Sequence, residues 1–176
     1  MTPAEQRQLA GIRAELSRVA RYDDESIVND KWVRQRYDCG CFPSFAPARK
    51  TAVRAAWHEA GHAVAALELG ARFSSASIHH GCRTEGRVHG IRGAGELAFV
   101  IDAAGQIAER LRNWTMLERD DELRAWRCSE ATLVPLRPKI AQVARALLVH
   151  PRHLPCAVVA AIAAERPVTA ARAAGR

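Results

Sequence analysis

The stretch TAVRAAWHEAGHAVAALEL, residues 51–69, is the longest regular pattern in the chain and decides the fold around it. Its apolar residues recur at alternating intervals of four and three, the spacing of one helix face. They are Val53, Trp57, Ala60, Val64 and Leu67. Because small and apolar residues also occupy most of the other positions, we predict a helix that is buried nearly all round.

Patterns on both sides of this segment predict further helices and two short strands. The predicted helices cover residues 3–20, 24–37, 95–113, 120–133, 140–148 and 155–165. Residues 76–80 and 86–91 read as strands on either side of the sequence GCRTE. The predicted fold class is therefore mostly α, with a small β-hairpin or sheet beside the central helix.

A change in composition suggests where the chain divides. Residues 39–50, CGCFPSFAPARK, contain two prolines and a glycine, which is typical of a linker or a packed loop. We expect residues 1–50 to form an N-terminal helical extension and residues 51–166 to form the main domain. Residues 167–176 are expected to be a flexible tail.

Length and composition are those of a globular protein, with 176 residues of which 48% are apolar and 26% charged. No apolar run approaches the roughly 20 residues needed to cross a bilayer. The N-terminus lacks the apolar core of a signal peptide. Five cysteines, an odd number, favour free thiols in a reducing compartment. We therefore expect a cytoplasmic protein without membrane insertion.

The charge is strongly basic, with a formal net charge of +7 and 23 arginines beside three lysines. Arginine binds carboxylates and phosphates well, so the charge alone would suit acidic partners or nucleic acid. A chain rich in arginine and alanine is also typical of a GC-rich genome. We favour that second interpretation and therefore expect no nucleic-acid partner. Binding to nucleic acid stays open as an alternative.

His58-Glu59-Ala60-Gly61-His62 is an HExxH motif inside the predicted central helix. Residues four apart lie on the same helix face, so both imidazoles can reach one ion. Zinc accepts histidine nitrogens and, in catalytic sites, keeps one position for water. Glu59 can then take a proton from that water as the general base. The alternative, two core histidines without a metal, would leave costly unpaired polar groups.

The segment HEAGHAVAAL, residues 58–67, resembles the zinc-binding helix of FtsH-type metallopeptidase domains. Residues 75–81 with 86–91 resemble the short strand pair of that family, and residues 104–109, AGQIAE, resemble its Gly-x-x-Ala-Glu helix. The resemblance covers about residues 51 to 150. It implies a zincin-like fold, zinc as the cofactor, and a peptide or an unstructured protein as the substrate.

The resemblance also implies a third zinc ligand. Residues 120–125, DDELRA, resemble the family's Asn-Asp-containing helix start, and matching the Arg-Ala pair selects Asp121. Asp121 would share its helix face with small residues, whereas Asp120 would share its face with arginines. Glu109 is a further alternative, but the family pattern makes it a residue that orients a ligand. We expect His58, His62 and Asp121 to bind zinc.

These observations predict a zinc-dependent metallopeptidase that works without ATP as an isolated chain, because the sequence contains no Walker A motif. The strand around Ser77–His80 is expected to offer a partly open edge to an extended peptide. The alternative function is a zinc-stabilised regulatory or binding module for protein or nucleic acid, with little or no proteolysis. Glu59 argues against that alternative, because a structural zinc site needs no such carboxylate.

Overall fold

The computed structural model describes residues 1–37, 49–78, 86–113 and 131–165. Its helices, in chain order, are α1 (Pro3–Arg18), α2 (Asp24–Asn29), α3 (Lys31–Tyr37), α4 (Arg49–Glu68), α5 (Ala98–Asn113), α6 (Arg137–Val149) and α7 (Cys156–Ala164). Three short strands accompany them: β1 (Ser75–Ser77), β2 (Arg87–His89) and β3 (Leu154–Pro155). The predicted fold class is confirmed at this level: mostly helical, with a small antiparallel sheet.

Helix α4 is the central element and packs most extensively against α5 and α6. Val53, Trp57 and Val64, which predicted its buried face, are at most 4% exposed. Gly61 allows α5 to come close, because a Cβ there would lie 2.6 Å from the Cβ of Ala108 and overlap the Ala104 carbonyl. A side chain at position 61 would therefore push the two helices apart.

The N-terminal helices belong to the same apolar core as α4. Ile12 of α1, Ile27 of α2 and Val33 of α3 are all at most 2% exposed. The indole Nε1 of Trp57 donates a hydrogen bond of 2.8 Å to the carboxylate of Asp24, which ties α2 to α4. Residues 1–37 thus pack directly onto the helix that carries the HExxH motif.

The region predicted as one helix over residues 24–37 is two helices, separated at Asp30. Asp30 has a ψ of 132°, which ends α2. Its carboxylate then accepts hydrogen bonds from the main-chain N–H groups of Trp32 and Val33. An aspartate in this position caps the start of the next helix, so it competes with continuation of the first.

The strands form an antiparallel sheet in the order β2-β1-β3. Ala76 of β1 lies opposite Val88 of β2 on one side and Leu154 of β3 on the other. β1 is therefore paired on both sides at Ser75 and Ala76, whereas Ser77 has a register partner only in β2, Arg87. The edge expected to be partly open around Ser77–His80 is closed at Ile78, whose main-chain N–H donates to the Pro151 carbonyl oxygen, while His79 and His80 lie outside the described residues. Among the described strands the outer ones are β2 and β3. The sequence pattern predicts no strand at β3, which meets the helix expected over residues 155–165 only at Pro155.

Several predicted segments cannot be compared fully with the structure. Most of the helix expected over residues 120–133 lies outside the described residues, as do the tail at 167–176, most of the linker at 39–50 and the end of the strand predicted at 76–80. Within the ranges that are described, no helix is long and apolar enough to cross a membrane.

Candidate metal and catalytic site

The two histidines of the motif converge on one point beside α5. A Cβ placed on Gly105 would lie 2.6 Å from His58 Nε2 and 2.5 Å from His62 Nε2. The two rings are 4.6 Å apart between centroids and inclined at 75°. Both Nε2 atoms therefore face the space that glycine leaves open, and any side chain at position 105 would fill it.

Helix α5 also holds the opposite nitrogen of each ring. His58 Nδ1 lies 2.7 Å from Glu109 Oε1, and His62 Nδ1 lies 2.5 Å from the main-chain carbonyl oxygen of Ile101. A carbonyl oxygen only accepts, so His62 Nδ1 is the donor, and the lone pair of a neutral imidazole is then on Nε2. Contacts of this kind fix the tautomer of metal-binding histidines. The pair therefore fits a metal ion bound through Nε2.

The environment of His62 favours the neutral form of its ring. Burial lowers its pKa, and the neighbouring His58 lowers it further, while the Ile101 carbonyl and Asp102 oppose the shift. A metal and a proton compete for the same imidazole lone pair. A lowered pKa therefore favours metal binding near neutral pH.

Glu109 lies on the side of the His58 ring away from Nε2. Its Oε1 contacts His58 Nδ1, and its Oε2 forms an ion pair of 2.8 Å with Arg54 Nε. Both carboxylate oxygens are therefore engaged away from the point where the Nε2 atoms converge. This placement suits a residue that orients His58 better than it suits a direct metal ligand.

Glu59 is buried, with 6% of its surface exposed. Its carboxylate packs against Gly86 at the start of β2, where a Cβ would overlap it. Burial raises the pKa of Glu59 to about 7, although the nearby main-chain N–H of Val88 and the Arg87 guanidinium act in the opposite direction. A carboxyl group with a pKa near neutrality is well matched to general-base catalysis.

His58, Glu59 and Glu109 line one cleft between α4, α5 and the start of β2, and His62 is not part of that lining. Its volume is about 490 Å³. Its lining consists of Thr51, Arg54, Ala55, His58, Glu59, Gly86 and Glu109. The cleft therefore brings an imidazole, a buried carboxylate and an exposed guanidinium to one opening.

The third predicted ligand, Asp121, and its alternative Asp120 both lie outside the described residues. Among the residues that are described, no group of three or more histidine, cysteine, aspartate or glutamate side chains could hold a metal ion. The described part of the site thus offers two imidazole nitrogens as candidate ligands, and Asp121 stays a prediction.

Sequence reasoning missed several residues that shape the site. Arg54 could have been found, since it lies four residues before His58 and on the same helix face. Gly86 and the Ile101 carbonyl carry no local signal, because their roles depend on chain segments that meet only in the fold. Gly105 is the glycine of the segment that resembles the Gly-x-x-Ala-Glu helix, but its position beside the two imidazoles also depends on the fold. Comparisons of the chain with protein-family models, curated proteins and solved structures found no match.

Proposed function

We propose that this chain is a zinc-dependent metallopeptidase of the FtsH type, with a zincin-like fold. The observation that carries the proposal is the convergence of His58 Nε2 and His62 Nε2 beside Gly105. Each ring is turned by a contact from α5, so the arrangement is supported by more than the spacing of the motif.

In this proposal His58, His62 and Asp121 hold the zinc ion. A zinc ion bound there would act as a Lewis acid that activates water and polarises a carbonyl group. Glu59 takes the proton from the attacking water and passes it to the leaving amine. Its burial and its raised pKa of about 7 support this role, because a group that titrates near neutrality can both accept and release a proton.

The substrate in this proposal is a peptide or an unstructured protein segment. Strand β2 is an outer strand of the described sheet and begins directly after Gly86, which contacts Glu59. An extended peptide could add to this edge through main-chain hydrogen bonds and thereby lie along the cleft. We propose that residues 1–176 by themselves hydrolyse peptides without ATP, since they include no P-loop motif.

A regulatory or binding module with a structural zinc ion is the alternative. The position of Glu59 favours the enzyme, because burial of an ionisable carboxylate is costly and a structural site gains nothing from it. Glu59 is 6% exposed, yet it lines the same cleft as His58. Perturbed carboxyl groups in clefts are typical of catalytic sites.

The substitution Glu59→Gln tests the proposal. Glutamine keeps the size of the side chain but cannot accept the proton, so we expect zinc to be retained and cleavage of casein to fall about 10²- to 10⁴-fold. Zinc content is measured by mass spectrometry, and His62→Ala serves as the control that loses zinc. Equal cleavage by wild type and Glu59→Gln would contradict the role of Glu59. A wild-type protein that binds no zinc would contradict the proposal as a whole.

A further inference from the structure

Two arginines flank the cleft that contains His58 and Glu59. Arg54 lines the cleft from α4, and its side chain is 73% exposed. Arg87 is exposed on β2 and directly follows Gly86 of the cleft lining, and its positive charge acts on the carboxyl group of Glu59. A peptide that enters the cleft therefore comes close to Arg54 and to the strand that carries Arg87.

The acidic groups of the described lining do not offer a matching negative surface. Glu109 uses one oxygen for His58 and the other for the Nε atom of Arg54. Glu59 is buried against Gly86. The ion pair of Arg54 is made through Nε and 73% of its side chain remains exposed, so Arg54 is the accessible charged side chain of the described lining, whereas Glu59 is buried.

We propose that the cleft selects peptides that carry a carboxylate side chain close to the bond that is cleaved. This inference rests on the proposed peptidase function and adds the substrate class to it. Arginine suits the task, because its planar guanidinium pairs with a carboxylate through two parallel hydrogen bonds. Arg54 and Arg87 are the specificity-determining residues.

Arg54 and Arg87 have different surroundings, so their substitutions can distinguish an effect on peptide preference from an effect on metal binding. Arg54 contacts Glu109 and, through it, reaches His58, so its replacement also disturbs the orientation of that imidazole. Arg87 belongs to the edge strand β2 and pairs in register with Ser77. Replacement of Arg87 should therefore change the preference for acidic peptides without loss of zinc.

The test uses two short fluorogenic peptides that differ by one glutamate or glutamine next to the cleaved bond. We expect kcat/KM of the wild type to be about tenfold higher for the glutamate peptide at low salt, with a smaller ratio at high salt. Arg87→Gln should reduce this preference about three- to fivefold, the scale of one exposed ion pair. Arg72→Gln is the matched control, since Arg72 is also exposed. Its main chain forms an isolated antiparallel β-bridge with Arg92, and neither residue belongs to the cleft lining.

Binding of the same peptides to the Glu59→Gln variant, measured by fluorescence anisotropy, gives a second readout that needs no hydrolysis. Tighter binding of the glutamate peptide, weakened by Arg87→Gln but not by Arg72→Gln, supports the inference even if neither peptide is cleaved. Equal kcat/KM and equal Kd for the two peptides would overturn it, while cleavage itself would leave the proposed function intact. Tighter binding of a single-stranded DNA oligonucleotide than of the glutamate peptide would also overturn it.

Discussion

Replacement of Glu59 by glutamine is expected to stabilise the metal-free protein at neutral and alkaline pH. Glu59 is 6% exposed, and burial raises its pKa from 4.5 to about 7. The folded protein therefore holds the proton of Glu59 more tightly than the unfolded chain does. Glutamine is neutral at every pH, so the variant avoids the cost of a buried carboxylate.

The sign and the pH range follow from proton linkage. Below about pH 4.5 the carboxyl group is protonated in both states, so the favourable contribution of the neutral form is fully present. Between about pH 4.5 and 7 the unfolded chain ionises first, and this contribution is lost as the pH rises through the folded pKa. A shift from 4.5 to about 7, at about 1.4 kcal/mol per unit, corresponds to about 3 kcal/mol of unfolding free energy.

The assay is urea unfolding of wild type and Glu59→Gln in the presence of a chelator, at several pH values between 4 and 8. We expect the two proteins to differ little near pH 4 and the variant to be more stable by up to about 3 kcal/mol at pH 8. Glu96→Gln is the matched control, since Glu96 is exposed and its replacement should leave the pH profile unchanged. Zinc should narrow the difference, because a nearby cation favours the ionised carboxylate.

A difference between wild type and Glu59→Gln that does not depend on pH would refute this reasoning. So would a variant that is less stable than the wild type at pH 8. Either result would mean that the Glu59 carboxylate is solvated or paired in the folded protein. Its pKa would then not be raised toward 7, and burial would no longer support its role as the general base.

Two further predictions concern the metal. Gly105→Ala should weaken zinc binding at least about tenfold, because the alanine Cβ would lie within 2.6 Å of the Nε2 atoms of both His58 and His62. Calorimetric titration with zinc measures the affinity, and an unchanged affinity would argue against binding through Nε2. Gly11→Ala is its control, since a Cβ there meets no atom within 4 Å and alanine should stabilise the exposed helix by about 0.5–1 kcal/mol. Asp121→Ala should weaken zinc binding much more than Asp120→Ala in the same titration. An equal or larger loss of affinity in Asp120→Ala would make Asp120 the third ligand. Retained affinity in both variants would point to Glu109.

The sequence by itself determined the helical character of the chain and the face on which the two histidines lie. Helical periodicity is local, so the spacing of Val53, Trp57 and Val64 was enough to predict that α4 is buried. The interval of four residues between His58 and His62 likewise placed both rings on one side of α4. Each of these predictions depends only on residues that are close in the chain.

Tertiary structure alone decided how those rings are oriented and what surrounds them. Glu109 and His58 are separated by 51 positions in the chain, and Ile101 and His62 by 39. No local sequence pattern encodes contacts between residues so far apart. The order of the strands depended in the same way on the pairing of β1 with a segment near residue 154. Long-range packing also buries Glu59 against Gly86, and it is this burial, rather than the motif, that raises its pKa.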